Sequence, residues 1–315
     1  MTRISRTGAA RSRSVLPLAA ALSASALLLS ACAAAEPEAG PGPVDYAALQ
    51  HVHALDTAPG GDAIIVATHQ GVWEIPVPAA GEGPAETGER LGGQVFDVMG
   101  FAMSGDTLFA SGHPAPGDRA DLAVPNLGLI ASEDFGGSWQ DVSLTGEVDF
   151  HALDAAPLPG GEHRLVGFNG SSGLIVSDDS GASWSDGARG SAFDIAIDPE
   201  QTDTVYATGE QGLVRSQDGA VSFEPWHAEL GIVLVETVAG AAFGLDQGGV
   251  LWRIDGAEPE RLGKAGVSFE AFGAGAQPGG GDPAAEPRFV VSDEQGIRVS
   301  DDLGASWRQV LAKTA

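Results

Sequence analysis

One octapeptide recurs along this chain. Ser132-Glu133-Asp134-Phe135-Gly136-Gly137-Ser138-Trp139 reads S-x-D-x-G-x-S-W. The same pattern returns with Ser177, Asp179, Gly181 and Trp184, and again with Ser300, Asp302, Gly304 and Trp307. A worn copy keeps Ser216 and Asp218 and ends on Phe223. A Ser, an Asp and a Gly between two apolar stretches predict a hairpin turn. The carboxylate accepts bonds from the turn's own N–H groups, and the Gly takes a positive φ. The aromatic residue that follows returns apolar surface to the core.

The four serines are 45, 39 and 84 residues apart, and the last interval is twice 42. One repeat has therefore lost its turn. A second marker recovers it, because a glycine opens an apolar strand at Gly71, Gly128, Gly173, Gly212, Gly249 and Gly296. The six tryptophans, Trp73, Trp139, Trp184, Trp226, Trp252 and Trp307, also fall one to a repeat. Several short strands at a period near 40–50 residues mark a propeller. The expectation is an all-β chain, a six-bladed β-propeller of four-stranded blades. A seventh blade would have to hide in an insert such as 78–88, 111–126 or 275–287.

The octapeptide resembles the Asp-box, or BNR, repeat of sialidases, sortilin-type receptors and other propellers. The resemblance covers nearly all of the chain after its leader. It implies that each box is the turn between the third and fourth strands of a blade, with a structural role.

Residues 1–14 carry Arg3, Arg6, Arg11 and Arg13 and no acid, and 15–29 are apolar. That is the pattern of a secretory signal, too short and wrongly flanked for a membrane span. It ends Leu29-Ser30-Ala31-Cys32, which looks like a bacterial lipobox. Residues 1–31 are thus expected to be a lipoprotein signal peptide, with Cys32 the lipidated residue. Cys32 is the one cysteine, so an internal disulfide is excluded. Residues 32–46 are Pro- and Gly-rich and read as a flexible tether; residues 47–315 form the propeller. The expected location is the outer face of the bacterial cell membrane, with the lipid as membrane contact.

The full sequence has a net charge of −27, and losing the leader's arginines makes the mature chain more acidic. Such a surface repels nucleic acid and anionic headgroups and attracts cations. A monomer is expected.

In a four-stranded blade, strand direction alternates. The Asp boxes mark one end. His51, His53 and His151 enter inner strands, and His69 and His113 lie in turns between second and third strands. All five therefore map to the other end, on blades one to three. Asp97 and Met99 open the inner strand of blade two, and Asp149 stands two before His151. Residues two apart on a strand share a side, so His51/His53, Asp97/Met99 and Asp149/His151 form three equivalent pairs. Imidazoles with a carboxylate suit zinc or copper, and a thioether leans toward copper(I). Core packing of the same histidines is the alternative. His163 maps to the opposite end and His227 to a distant blade.

These stretches also resemble an uncharacterised group of bacterial secreted propeller lipoproteins labelled glycosyl hydrolase. That label follows from fold, which does not fix function. Sialidase chemistry needs an arginine cluster, a Tyr–Glu pair and an Asp acid. Here Tyr46 abuts the tether, Tyr206 is inside a second strand, and Arg215, Arg253 and Arg298 are on third strands. A two-carboxylate glycosidase stays open. The functional expectation is a surface-anchored propeller that binds a ligand, a copper or zinc ion first, at the His-rich mouth. A glycan-directed hydrolase and a docking scaffold for an envelope protein are the alternatives.

Overall fold

Apolar runs bounded by glycines or by Ser/Asp turns become short antiparallel strands along the whole described chain. In the computed structural model the described fold belongs to one compact unit, Ala39–Ala315. The structure describes residues 42–115, 125–170, 173–278 and 286–313. The leader, Cys32 and most of the tether lie outside them.

The first sheet holds β1 (Gly42–Pro43), β2 (Val52–Thr57), β3 (Ala63–Thr68), β4 (Gly71–Pro76) and β5 (Thr87–Arg90). A short helix, α1 (Tyr46–Leu49), joins β1 to β2. The second contains β6 (Phe96–Ser104), β7 (Thr107–Pro114), β8 (Leu129–Ser132) and β9 (Gln140–Ser143). The third contains β10 (Ala152–Pro157), β11 (His163–Phe168), β12 (Leu174–Ser177) and β13 (Ser185–Asp186). The fourth contains β14 (Asp194–Ile197), β15 (Val205–Gly209), β16 (Gly212–Ser216) and β17 (Glu224–Pro225). The fifth contains β18 (Ile232–Val238), β19 (Ala241–Asp246), β20 (Val250–Arg253) and β21 (Glu260–Lys264). The last contains β22 (Ala271–Gly275), β23 (Arg288–Asp293), β24 (Gly296–Ser300) and β25 (Arg308–Ala312).

The inner strands β2, β6, β10, β14, β18 and β22 pack each against the next, and β22 packs against β2. The ring therefore closes at six blades, and among the described residues no insert holds a seventh. The core lies between neighbouring blades. Phe109, Leu129, Phe150 and Leu165 fill the space between blades two and three. Leu55, Ile64, Val66, Val290 and Ile297 do the same between blades one and six. Each such side chain, fully buried, contributes about 1.5–3 kcal/mol.

The repeated turns join third and fourth strands. In blade three, Ser177 Oγ donates to Asp179 Oδ1 at 2.8 Å, and Ser183 N donates to the same oxygen at 2.8 Å. Ser183 Oγ donates to Asp179 Oδ2 at 2.5 Å, and Gly181 N donates to Ser177 Oγ at 2.8 Å. Asp134, Asp218 and Asp302 repeat the arrangement. The backbone turns left-handed at the glycine, with φ of 84° at Gly136, 87° at Gly181 and 80° at Gly304. The worn copy puts Ala220 there, at φ 68°. Trp139 is buried. Trp184 and Trp307 reach the preceding blade, donating to Ser143 Oγ and Lys264 O.

The six strand-opening glycines share one role. All have positive φ, from 70° at Gly128 to 117° at Gly173. A Cβ at Gly296 would stand 2.2 Å from Leu311 O, and one at Gly249 would stand 2.2 Å from Gly266 O. At five of the six a side chain would collide with the fourth strand of its own blade or the link that follows it, and at Gly212 the nearest atom, Ala228 O, stands 3.2 Å away.

The packed domain begins earlier than residue 47. Gly42 and Pro43 pair with Gly88 and Thr87, adding a fifth strand to blade one. Tyr46 is buried rather than part of the tether, and its hydroxyl meets Ser292 Oγ at 2.7 Å and Glu270 at 3.1 Å. This anchors the entry segment to blade six. Every blade is one continuous stretch of chain, so no strand is exchanged at the seam between blades six and one. Side chains and one loop backbone hydrogen bond latch it instead. Buried Arg288 donates to Gly61 O and forms a two-pronged pair with Asp301 at 2.6 and 3.0 Å. Arg308 donates to Pro78 O at 2.5 Å, and Ala85 N donates to Val310 O at 2.7 Å.

Candidate functional site

His51 precedes β2, His53 stands on it, and His69 occupies the turn into β4. The strands carry all three to one end of blade one. His53 is the extra residue of a bulge between Val52 and Ala54. His51 Nδ1 and His53 Nε2 lie 3.4 Å apart, as do His53 Nε2 and His69 Nε2. One nitrogen from each ring lies within 4.8 Å of the other two. Asp97 Oδ1, from blade two, holds His69 Nδ1 at 2.5 Å. The carboxylate thus fixes the ring so that Nε2 faces the other imidazoles. Burial, and then the neighbouring His51 and His69, lower the His53 pKa to about 4. A neutral ring at that position is ready to ligate.

The remaining predicted residues form a separate group on the next two blades. His113 Nε2 lies 3.2 Å and His151 Nε2 2.9 Å from the same oxygen, Asp149 Oδ2. Asp149 Oδ1 is buried with no hydrogen-bond partner. His113 Nδ1 also meets Pro125 O at 3.1 Å. The eight-residue mouth expected from sequence is therefore two clusters: His51, His53, His69 and Asp97, and then His113, Asp149 and His151. Met99 departs from the expected pairing. It is the extra residue of a bulge between Val98 and Gly100, where the alternation that would place it beside Asp97 breaks. His163 bonds Ser104 Oγ at 2.9 Å and His227 bonds Gly256 O at 2.9 Å, both outside these clusters.

Below His53 runs a central cavity of about 70 Å³ that the histidine lines together with Asp56, Asp154, Asp194 and Glu236. Burial raises Asp56 to about 8 and Asp154 and Asp194 to about 7. Glu236 is also raised, first by burial and then by the three aspartates. Two of these acids tie neighbouring inner strands together. Asp154 Oδ2 accepts from Ile197 N at 2.6 Å, and Asp194 Oδ2 from Val235 N at 2.8 Å. Sequence reading passed over this ring. Its trace is the His-Ala-Leu-Asp stretch that occurs at 53–56 and again at 151–154, where the last residue points down the channel.

Tetrahedral zinc with nitrogen ligands at about 2.0–2.1 Å separates those nitrogens by roughly 3.3–3.4 Å. The two 3.4 Å spacings in the triad match that figure. Three imidazoles leave a fourth position for water or a ligand atom, the pattern of zinc sites that bind or activate small molecules. Asp97 holds His69 as an outer carboxylate would hold a ligating histidine in such a site.

No family model matches the chain, and no curated protein matches it. Solved structures do. The GH74 enzyme of Niastella koreensis superposes with a TM-score of 0.55 at 20% identity, over 84% of this chain and 38% of that one. The GH74 xyloglucanase from Xanthomonas campestris gives 0.51 at 16% identity, over 80% and 44%. A YCF48 protein bound to a D1 peptide gives 0.48 at 13% identity, over 87% of each chain. The chain spans less than half the length of both GH74 enzymes. At these identities the likeness is one of fold.

Proposed function

We propose that this chain is a lipid-anchored propeller of the bacterial cell envelope that binds one zinc or copper ion at His51, His53 and His69. The observation that carries the reading is a trio of imidazole nitrogens within 4.8 Å of one another, two of the pairs 3.4 Å apart, with Asp97 behind His69. The acidic surface adds an attractive field for cations. Imidazole suits either metal, and the break at Met99 removes the argument for copper(I). The ion would take its three protein ligands from blade one and leave its fourth position open to the mouth. A glycoside-hydrolase reading has the GH74 fold likeness and no residue pattern beside it.

Elemental analysis of protein purified without a His tag tests the metal. One equivalent of zinc or copper is expected, lost in His53→Ala/His69→Ala. Retention of the ion by that variant would place it elsewhere and end the proposal. For the anchor, Cys32→Ala is expected to abolish incorporation of radiolabelled lipid, and unchanged labelling would remove the membrane from the account.

A further inference from the structure

A second cavity, of about 400 Å³, opens between blades three and four. It lies at the same end of the ring as the triad, because its rim includes the β15–β16 turn, which corresponds to the turn holding His69. Val214 and Phe223, both half-buried, form part of an apolar floor. The rim carries Arg189, Ser191, Glu210 and Gln211. Its volume falls in the range of sites that enclose small ligands, about 300–1,000 Å³.

Among the described residues the cation on this rim has no carboxylate partner, as is also true of Arg90, Arg215 and Arg261. With 43 acids against 16 basic residues, arginines find carboxylates easily. Arg164, Arg253, Arg288, Arg298 and Arg308 each do. Among the described residues, no ion pair or side-chain hydrogen bond engages Arg189, and Glu210 on the same rim does not pair with it. The guanidinium is a fork suited to a carboxylate. Glu210 accepts hydroxyl protons, and Ser191 and Gln211 both donate and accept. Phe193, two residues beyond Ser191, is 58% exposed.

We propose that this cavity binds a hexuronate, as a monosaccharide or as the end of an acidic glycan. The C–H face of the pyranose would lie on the floor by Val214 and Phe223. The ring hydroxyls would meet Ser191, Glu210 and Gln211, and the carboxylate would meet Arg189. A neutral hexose leaves the arginine unmatched. A fatty acid leaves the hydroxyl-binding groups unused and sets the Glu210 charge against its chain. The site shares no residue with the triad, so it stands or falls apart from the metal reading.

The test is calorimetric titration of the full chain with glucuronate and galacturonate oligosaccharides and with their neutral glucose and galactose counterparts, in the presence of a chelator. Uronates are expected to bind at least about tenfold more tightly than the neutral sugars, the value of a hydrogen bond to a charged group. Arg189→Gln, at an exposed position that folding does not need, is expected to remove that preference. His51→Ala/His69→Ala is expected to leave it intact. Equal affinity for acidic and neutral sugars, absence of binding by either, or a preference that survives in Arg189→Gln would each overturn the proposal. So would binding that disappears with the histidine variant, which would place the sugar at the histidine cluster.

Discussion

Asp97 reaches from blade two to His69 on blade one, with Oδ1 2.5 Å from Nδ1. The contact fixes which nitrogen of His69 faces His53. Asp97→Asn is therefore expected to weaken zinc binding about 10–100-fold, the usual loss when an outer-sphere carboxylate is removed. Competition with a chromophoric chelator measures it. An unchanged affinity would show that His69 needs no orienting partner.

The channel acids should shape stability against pH. Asp56, Asp154 and Asp194 have folded values of about 8, 7 and 7, against 3.8 for the free side chain. Between those values the folded chain holds more protons than the unfolded one, so stability falls as pH rises. The contribution is intact below about pH 4 and gone above about pH 8. Melts near pH 5, 7 and 9 are expected to show a falling Tm, with a shallower fall in Asp56→Asn. A Tm that rises across this range would contradict the burial of these carboxylates.

The turn acids act with the opposite sign. Hydrogen bonds from Ser222, led by its hydroxyl, hold Asp218 down to about 2, and Asp134, Asp179 and Asp302 are lowered by the same kind of contacts. Their stabilisation is present above about pH 4 and lost as pH falls toward 2. Asp302→Ala is expected to lower Tm and leave metal content unchanged. A metal-free variant of undiminished Tm would mean that the turn serves the site and not the fold.

The seam between blades one and six depends on Arg288. Replacing it with Leu leaves Gly61 O without its donor and Asp301 with Arg308 alone. The loss is expected to be on the order of 3 kcal/mol, the lower end for breaking a buried pair. Urea unfolding measures it. A change within about 0.5 kcal/mol, that of an ordinary surface substitution, would show that the apolar seam suffices.

The six-fold repeat was legible because its turns use chemistry specific to residue type. A Ser–Asp–Gly turn has few substitutes, so four copies survive as a pattern. The grouping of His51, His53 and His69 was legible because strand direction alone sends them to one end. The split into two clusters was not. It depends on Asp97 and Asp149, whose side chains choose partners across a blade gap, and on bulges at His53 and Met99 that break the two-residue alternation. Arg288 could not be read either, since its partner Gly61 is 227 residues away.

Because each blade is one unbroken stretch and only side chains and a loop bridge the seam, where the chain starts is independent of where the ring closes. A gene that began at blade four and ended with blade three, with the old ends joined by a linker, would encode the same six sheets. The seam would then be an ordinary internal junction, and the junction between blades three and four would carry the free ends. Rearranged chains of this kind, cut at each interblade link in turn, would rank the six junctions by how much of the ring's cohesion each supplies.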